Sequence, residues 1–371
     1  MKKKFILTFI ILLSFSFGYS QVSKAENNIT DKKNILSKKQ HKLLYENLKY
    51  FHDQTQVSLA FIKNGEVRFY GVKRENNNLT DCHNADKVFE IGSITKVFTS
   101  TLLANFVIDG KISLDDKIND YLQIRLKNNI EISFKQLANH TSGLTRMPSN
   151  FNLAAMFSMD NPYKNYNEKL LNWYLTEGLS LEYPQGSKTE YSNLGAGLLS
   201  YTLCKIANID FQSLLKDHIF SKYQMENTTT ILTEISDKLI IGRDSIGKET
   251  SNWDFAILGG AGGIFSTVED LSKFMLAQFN SSNKELELTR VKTFLDPKDM
   301  DVCLGWFIHK NKSGSEWYFH NGGTGGYRSA MTFDPNKKNG IIILSNISSF
   351  HPDSRKIDQL CFALMETLET K

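Results

Sequence analysis

Proline and linker-like stretches are scarce in this chain of 371 residues, which contains six prolines. After the first forty residues no run rich in Pro, Gly or Ser interrupts the sequence. Such runs are the usual connections between domains. Hydrophobic residues make up 41% of the chain and aromatic residues 12%, a content well above that of disordered proteins. We therefore expect one globular body, with at most an inserted lobe.

Cysteine is also sparse, and the four that occur lie far apart: Cys82, Cys204, Cys303 and Cys361. A chain of this length does not depend on disulfides for its core, so we expect mostly free or buried thiols. The sequence has no CxxC pair, no HExxH motif and no cluster of His with Cys. Because those patterns are typical of metal sites, the sequence predicts no metal, and nothing in it implies another cofactor.

A large excess of charge of one sign is missing as well, since the formal net charge is +4. Three of the positive charges, Lys2, Lys3 and Lys4, precede an apolar run at 5–17 and small residues at 18–20 and 23–25. This order is typical of a secretory signal peptide. The run of 13 residues is short of the roughly 20 that span a bilayer. We expect a cleaved signal at 1–25 and no stable membrane anchor.

Cleavage of that signal would leave a nearly neutral protein, with a charge of +1 after a cut at Ser20 or 0 after a cut at Ala25. Nucleic acids and anionic membranes are bound by basic surfaces, so neither is expected as a partner. We expect an exported monomer, periplasmic or secreted. A polar tether should occupy 26–44, and the folded domain should occupy 45–371.

Strand-like runs lie near both ends of the chain. The runs 57–63 and 66–72 enclose Asn64-Gly65, which predicts a hairpin with a type I′ turn. Four further runs near the other end are 304–309, 316–320, 327–333 and 340–345, followed by an amphipathic helix at 354–368.

The middle of the chain has a helical pattern, with apolar residues three and four apart. The predicted helices are 95–109, 133–138, 167–176, 195–207, 211–219 and 268–279. Strands from both ends must then share one antiparallel sheet with helices packed on it. The predicted fold is of the α/β class, α+β type, with an all-α lobe at about 126–290.

The first candidate for chemistry is Ser93-Ile94-Thr95-Lys96, at the start of a predicted helix. Residues three apart share one helix face, so Ser93 and Lys96 should be neighbours. The helix dipole favours an alkoxide at the first turn, and a lysine with a lowered pKa can accept the serine proton. The motif alone is weak, because SxxK occurs by chance in many chains.

The second candidate is Tyr191-Ser192-Asn193, just before a predicted helix. The plain interpretation is a helix cap, for which Ser and Asn are both suited. The chemical interpretation is that Tyr191 relays a proton to the leaving group. Asn193 would then hold the Lys96 ammonium and a substrate carbonyl by hydrogen bonds.

The third candidate is the segment 320–326, His-Asn-Gly-Gly-Thr-Gly-Gly, between two strands. In isolation, four glycines there indicate a tight turn. Beside the other two motifs they would let substrate lie against the strand edge. The N–H groups of Ser93 and Gly323 would then form an oxyanion hole.

In this order and spacing the three elements resemble the class C β-lactamases, DD-carboxypeptidases and related esterases that share the penicillin-recognising fold. Ser93-Ile94-Thr95-Lys96 matches the family's SxxK, Tyr191-Ser192-Asn193 its YxN, and His320-Asn321-Gly322 the HxG form of its third box. That box is KTG in the commonest class C enzymes. The resemblance covers about 45–370 and includes the runs 114–117, 132–144 and 260–271. In those runs we assign His140 to support of the helical lobe and the glycines at 260–263 to a loop approaching the site.

The resemblance implies a serine hydrolase that works through an acyl-enzyme on Ser93. Lys96 and Tyr191 would move the proton, Asn193 would orient, and His320, Asn321 and Gly322 would bind substrate. β-Lactam hydrolysis is the first choice of activity. A D-alanyl-D-alanine carboxypeptidase or endopeptidase acting on peptidoglycan peptides, or an esterase, is the alternative. A remote alternative is a penicillin-binding sensor that becomes acylated but does not turn over.

One position departs from the commonest class C pattern, because His320 stands where those enzymes have a lysine. An unperturbed histidine titrates near pH 6.5. We therefore expect the binding of a substrate carboxylate to weaken between roughly pH 6 and 8. Alternatively, His320 makes only structural hydrogen bonds, or Arg328 supplies the cation.

Overall fold

A computed structural model describes residues 36–295, 300–311 and 314–369. The predicted signal peptide and the first part of the predicted tether lie outside these residues. The strands are β1 (Gln56–Lys63), β2 (Glu66–Glu75), β3 (Asn78–Cys82), β4 (Phe89–Glu90), β5 (Phe265–Ser266), β6 (Asp301–Val302), β7 (Phe307–Lys310), β8 (Glu316–Gly323), β9 (Arg328–Asp334) and β10 (Asn339–Ser345). The helices are α1 (Lys38–Leu48), α2 (Thr95–Ile108), α3 (Phe134–Ala138), α4 (Phe151–Ala155), α5 (Glu168–Trp173), α6 (Asn193–Ala207), α7 (Phe211–Leu215), α8 (Val268–Gln278), α9 (Lys284–Thr289) and α10 (Lys356–Glu369).

Strands from both ends of the chain form one antiparallel sheet, as the sequence predicted. Within the described residues it has eight strands in the order β3-β2-β1-β10-β9-β8-β7-β6. The two ends meet where β1 pairs with β10, with Phe61 opposite Ile341. The short strands β4 and β5 form a separate pair. Because β4 ends at Glu90, this pair fixes the chain just before Ser93.

The hairpin between β1 and β2 has the predicted turn. Asn64 and Gly65 have φ values of 54° and 84°, which is the left-handed pair that a type I′ turn requires. A second hairpin, between β2 and β3, was not predicted from the sequence. Its turn residues Asn76 and Asn77 have φ values of 50° and 63°. Asparagine tolerates this region better than other residues with a Cβ, so the same turn forms without glycine.

The central strand β10 is buried on both of its faces. Ile341 and Ile343 pack with α1 and α10 on one face. Ile342 and Leu344 belong to the larger core on the other face, which includes residues of α2 and α8. This alternation follows from the two-residue period of a strand, and it explains why β10 is apolar throughout.

The predicted tether at 26–44 is wrong in its last part, because α1 begins at Lys38. Ser37 caps this helix: its Oγ accepts from the Gln40 N–H at 3.2 Å, and Gln40 Oε1 accepts from the Ser37 N–H at 2.9 Å. Leu44 and Leu48 are 2% and 1% exposed. The few apolar residues of α1 form a stable face only because α10 covers them.

The predicted helical lobe needs a narrower boundary. Helices α3 to α7 lie within 134–220, whereas α8 packs on β1, β2 and β10 and so belongs with the sheet. The described residues, from Leu36 to Glu369, form one compact unit. Two predicted helices continue as π-helical turns, at Tyr174–Gly178 and Lys216–Phe220. Helix α2 is buried on nearly all sides and so lies at the centre of this unit. Ser93, in the turn between β4 and α2, is held at the start of this buried helix.

Candidate active site

Ser93 and Lys96 are neighbours at the start of α2. Ser93 lies in the 3-10 turn Gly92–Ile94 and is partly exposed, while Lys96 is 2% exposed. The distance from Lys96 Nζ to Ser93 Oγ is 3.1 Å. The hydroxyl is thus accessible from outside, and the amine approaches it from within the core.

The Lys96 amine also contacts two oxygens that carry no proton. It donates to Asn193 Oδ1 at 2.9 Å and to the Ala261 carbonyl at 2.7 Å. Burial, followed by the positive charge of Arg146, lowers the pKa of Lys96 well below its usual range. A neutral amine has two N–H donors, and both are used by these oxygens. The Ser93 hydroxyl is therefore left to donate to the nitrogen lone pair, which is the arrangement needed for a general base.

Tyr191-Ser192-Asn193 provides the helix cap of the plain interpretation, and its Asn193 contacts Lys96 as the chemical interpretation expects. Ser192 is the cap of α6, since its Oγ accepts from the Gly195 N–H at 2.8 Å. Because Ser192 fulfils this role, the Asn193 side chain is free to bind Lys96. Asn193 Nδ2 donates to Tyr163 Oη at 2.8 Å, which fixes the amide orientation.

The Tyr191 ring covers the Lys96 amine, with its centroid 4.7 Å from Lys96 Nζ. Burial raises the pKa of Tyr191, and a hydrogen bond with Ser93 opposes the rise only in part. The phenol therefore stays protonated and can act as a proton donor. His140, assigned to the helical lobe, also orients this tyrosine: the ring centroids are 4.6 Å apart, and the Ser192 N–H lies 3.3 Å from His140 Nδ1.

Two glycines bring the expected oxyanion donors together. A methyl group on Gly92 (φ 52°) would lie 2.6 Å from Gly323 N. A methyl group on Gly322 would lie 2.9 Å from Ser93 N and 2.0 Å from the Ile91 carbonyl oxygen. Only glycine allows this approach of β8 to the turn at Ser93. This approach brings the backbone nitrogens of both Ser93 and Gly323 to the contact between β8 and the turn.

His320 is 1% exposed, and its ring lies 6.3 Å from that of Tyr191. Burial, and then the charge of Lys96, lowers the pKa of His320 to about 3. Its Nδ1 lies 2.6 Å from the Asn321 carbonyl oxygen, so the neutral ring donates from that nitrogen. The expected titration between pH 6 and 8 is therefore wrong, because a buried imidazole next to another amine does not charge in that range.

Asn321 does not join the catalytic groups. Neighbouring side chains of a strand point to opposite faces, and the Asn321 side chain acts on Asp358 of α10, whose pKa it lowers against the effect of burial. The same carboxylate forms an ion pair with Arg328. The alternative cation, Arg328, is therefore neutralised by a partner of its own.

Three further side chains near the site were not predicted from the sequence. Tyr163 hydrogen-bonds Asn193, and its ring stacks on Phe255 with centroids 4.4 Å apart. The Arg146 guanidinium lies 5.0 Å from the Tyr191 ring centroid. Trp253 borders the third motif, since a methyl group on Gly325 would lie 2.8 Å from its Nε1. No spacing rule links these residues to Ser93.

Over the described ranges, no group of three or more His, Cys, Asp or Glu residues is arranged to hold a metal ion. In the same part of the chain, no helix has the length and apolar content needed to cross a membrane. All four cysteines are free, and Cys303 and Cys361 are buried, as the sequence predicted.

The fold and the Ser93–Lys96 pair define a class of protein, the serine hydrolases of the β-lactamase and penicillin-binding superfamily. The sequence model of the β-lactamase family matches residues 49–363, and the chain belongs to that family. The crystal structure of a β-lactamase/D-alanine carboxypeptidase from Pseudomonas syringae aligns with a TM-score of 0.73 and 21% identity, over 90% of this chain and 98% of that one.

Among curated proteins, the chain is similar to the D-alanyl-D-alanine-carboxypeptidase/endopeptidase AmpH of Escherichia coli K12. The two are 25% identical over 80% of each chain. It is also similar to protein flp of Staphylococcus aureus, with 24% identity over 79% of this chain. The chain spans 60% of the length of flp. The family model establishes the family. At the identities of these relatives, the substrate has to be argued from the site.

Proposed function

We propose that this protein hydrolyses β-lactams through an acyl-enzyme on Ser93. The observation that carries the proposal is the buried Lys96 amine, whose two N–H donors are taken by Asn193 and Ala261. Ser93 Oγ attacks the carbonyl carbon and transfers its proton to Lys96 Nζ. The N–H groups of Ser93 and Gly323 bind the oxyanion that forms.

The second half of acylation uses Tyr191. Its phenol donates a proton to the leaving nitrogen as the carbonyl–nitrogen bond breaks, and it recovers a proton from Lys96. Water then attacks the ester on Ser93, and the same groups take its proton and return one to the serine oxygen. Lys96 in its charged form has three N–H donors for Ser93, Asn193 and Ala261, so both protonation states of the amine are fully hydrogen-bonded.

A carboxypeptidase acting on peptides that end in D-Ala-D-Ala is the second candidate. The observation that favours it is the similarity to AmpH, which covers 80% of both chains. The same chemistry serves both substrates, since each presents an amide carbonyl and a leaving nitrogen.

We also propose that the protein is exported. Mass spectrometry of native protein should then find an N-terminus at Gln21 or Glu26.

A substrate panel on the purified protein tests the activity. It compares nitrocefin, a D-Ala-D-Ala peptide and a neutral nitrophenyl ester, each with wild type and with Ser93→Ala. We expect turnover of nitrocefin and one covalent penicillin adduct on the peptide that contains Ser93, both lost in the variant. A stoichiometric burst without steady-state turnover would identify a sensor. An adduct that persists in Ser93→Ala would contradict the assignment of the nucleophile.

A further inference from the structure

Few positive charges act on Lys96, Tyr191 and His320. Arg146 is the charge that acts on Lys96, and Arg146 with Arg328 are the arginines that act on Tyr191. For His320 the acting charges are Lys96 and Arg328. Among the charges that act on these groups, the candidates for binding a substrate anion are Lys96, His320, Arg328 and Arg146.

Three of these groups are not suited to that role. Lys96 is 2% exposed and His320 is 1% exposed, so a ligand cannot surround either, and burial favours the uncharged form of both. The side chain of Arg328 is 15% exposed and is held by the Asp358 carboxylate. Its charge is already compensated within the protein.

Arg146 differs from these three groups in both its exposure and its ion pairing. It is exposed to solvent, and in the described part of the chain it forms no ion pair with a carboxylate. Its guanidinium lies 5.0 Å from the centroid of Tyr191, whose hydroxyl is hydrogen-bonded to Ser93. The positive charge of Arg146 is therefore separated from Ser93 only by the side chain of Tyr191.

The backbone of Arg146 is fixed relative to the catalytic groups. Its carbonyl accepts from the N–H groups of Asn193 and Leu194 at 3.0 and 3.1 Å, at the start of α6. The neighbouring Thr145 carbonyl accepts from Ser192 Oγ at 2.7 Å. Because the segment is hydrogen-bonded to the YxN motif itself, the backbone of Arg146 is fixed next to Tyr191.

We propose that Arg146 determines specificity by binding a carboxylate of the substrate while Ser93 attacks its carbonyl. A guanidinium suits this role because it presents paired N–H donors to the two carboxylate oxygens and keeps its charge at all physiological pH values. The inference rests on the proposed hydrolase function and adds to it the part of the substrate that is recognised. The carboxylate could belong to a β-lactam or to a peptide.

The test uses three matched pairs of substrates that differ only in one carboxylate. They are nitrocefin with its methyl ester, a D-Ala-D-Ala peptide with its C-terminal amide, and a nitrophenyl ester with and without a carboxylate. The measured quantity is the ratio of kcat/KM for the charged member to that for the neutral member. Any effect of Arg146 on the Lys96 base is common to both members and cancels in this ratio.

Arg146→Ala should lower the ratio by about 10- to 100-fold, the loss of a charge-assisted hydrogen-bonded pair. Arg146→Lys should lie between wild type and Arg146→Ala, because lysine keeps the charge and loses the paired donors. The matched control is Lys164→Ala, which removes an exposed positive charge beside Tyr163 and should leave the ratio unchanged.

A loss confined to the β-lactam pair or to the peptide pair supports the inference and identifies the source of the carboxylate. An unchanged ratio in Arg146→Ala, or an equal fall in Lys164→Ala, overturns it. The proposed function fails separately: the wild-type protein would then turn over no member of any pair and form no adduct on Ser93. In that case the inference falls with it.

Discussion

Glu90 is a carboxyl group buried three residues before Ser93, and it makes the stability of this protein sensitive to pH. It is 3% exposed, and its Oε1 accepts from Asn252 Nδ2 at 2.7 Å and from the Trp253 N–H at 2.9 Å. Burial raises the pKa of Glu90 to about 7 from an ordinary value of 4.5, although these hydrogen bonds oppose the rise. The substitution that tests this effect is Glu90→Gln, which keeps an oxygen for both donors.

The sign follows from proton binding. Between pH 4.5 and about 7 the folded protein holds a proton on Glu90 that the unfolded chain has released. Glu90 therefore lowers the free energy of unfolding as pH rises through this window. Above the window its contribution no longer changes with pH. From a shift of this size, the contribution lost between roughly pH 5 and pH 8 is about 2.5 kcal/mol.

Urea unfolding of wild type and Glu90→Gln at pH 5 and pH 8 measures this contribution. All other titrating groups are common to the two proteins, so they cancel in the difference between the two pH dependences. We expect wild type to lose about 2.5 kcal/mol more than the variant over this interval. Parallel pH dependences would refute the raised pKa and would mean that the carboxylate is stably charged in its buried site.

Two further predictions concern β8. Gly322→Ala should abolish formation of the acyl-enzyme, because the added methyl would lie 2.0 Å from the Ile91 carbonyl oxygen. The control is Gly195→Ala, where the added methyl would have no contact closer than 3.4 Å. An active Gly322→Ala protein would contradict the placement of the oxyanion donors. The kcat/KM for a carboxylate-bearing substrate should show no histidine titration between roughly pH 6 and 8, because the pKa of His320 is about 3. An inflection in that range that disappears in His320→Gln would show that the imidazole does charge there.

Local sequence rules are sufficient where the interacting residues are close in the chain. The I′ turn at Asn64 and Gly65 depends on the φ values of two adjacent residues, so the sequence predicts it directly. The pairing of Ser93 with Lys96 depends on the three-residue spacing of one helical segment, and it too was predicted. The order of the three motifs was enough to indicate the family before any geometry was known.

The sequence by itself thus determined the hairpin, the shared sheet, the pairing of Ser93 with Lys96, and the family. Tertiary structure decided what surrounds them: Arg146 and Tyr163 reach the site through α6, and the Ala261 carbonyl reaches Lys96 across 165 positions of the chain. It also decided the charge of His320, because a pKa depends on burial and on neighbouring charges that no local pattern records. Helix and turn rules act over a few residues, whereas desolvation and long-range contacts exist only once the chain has packed.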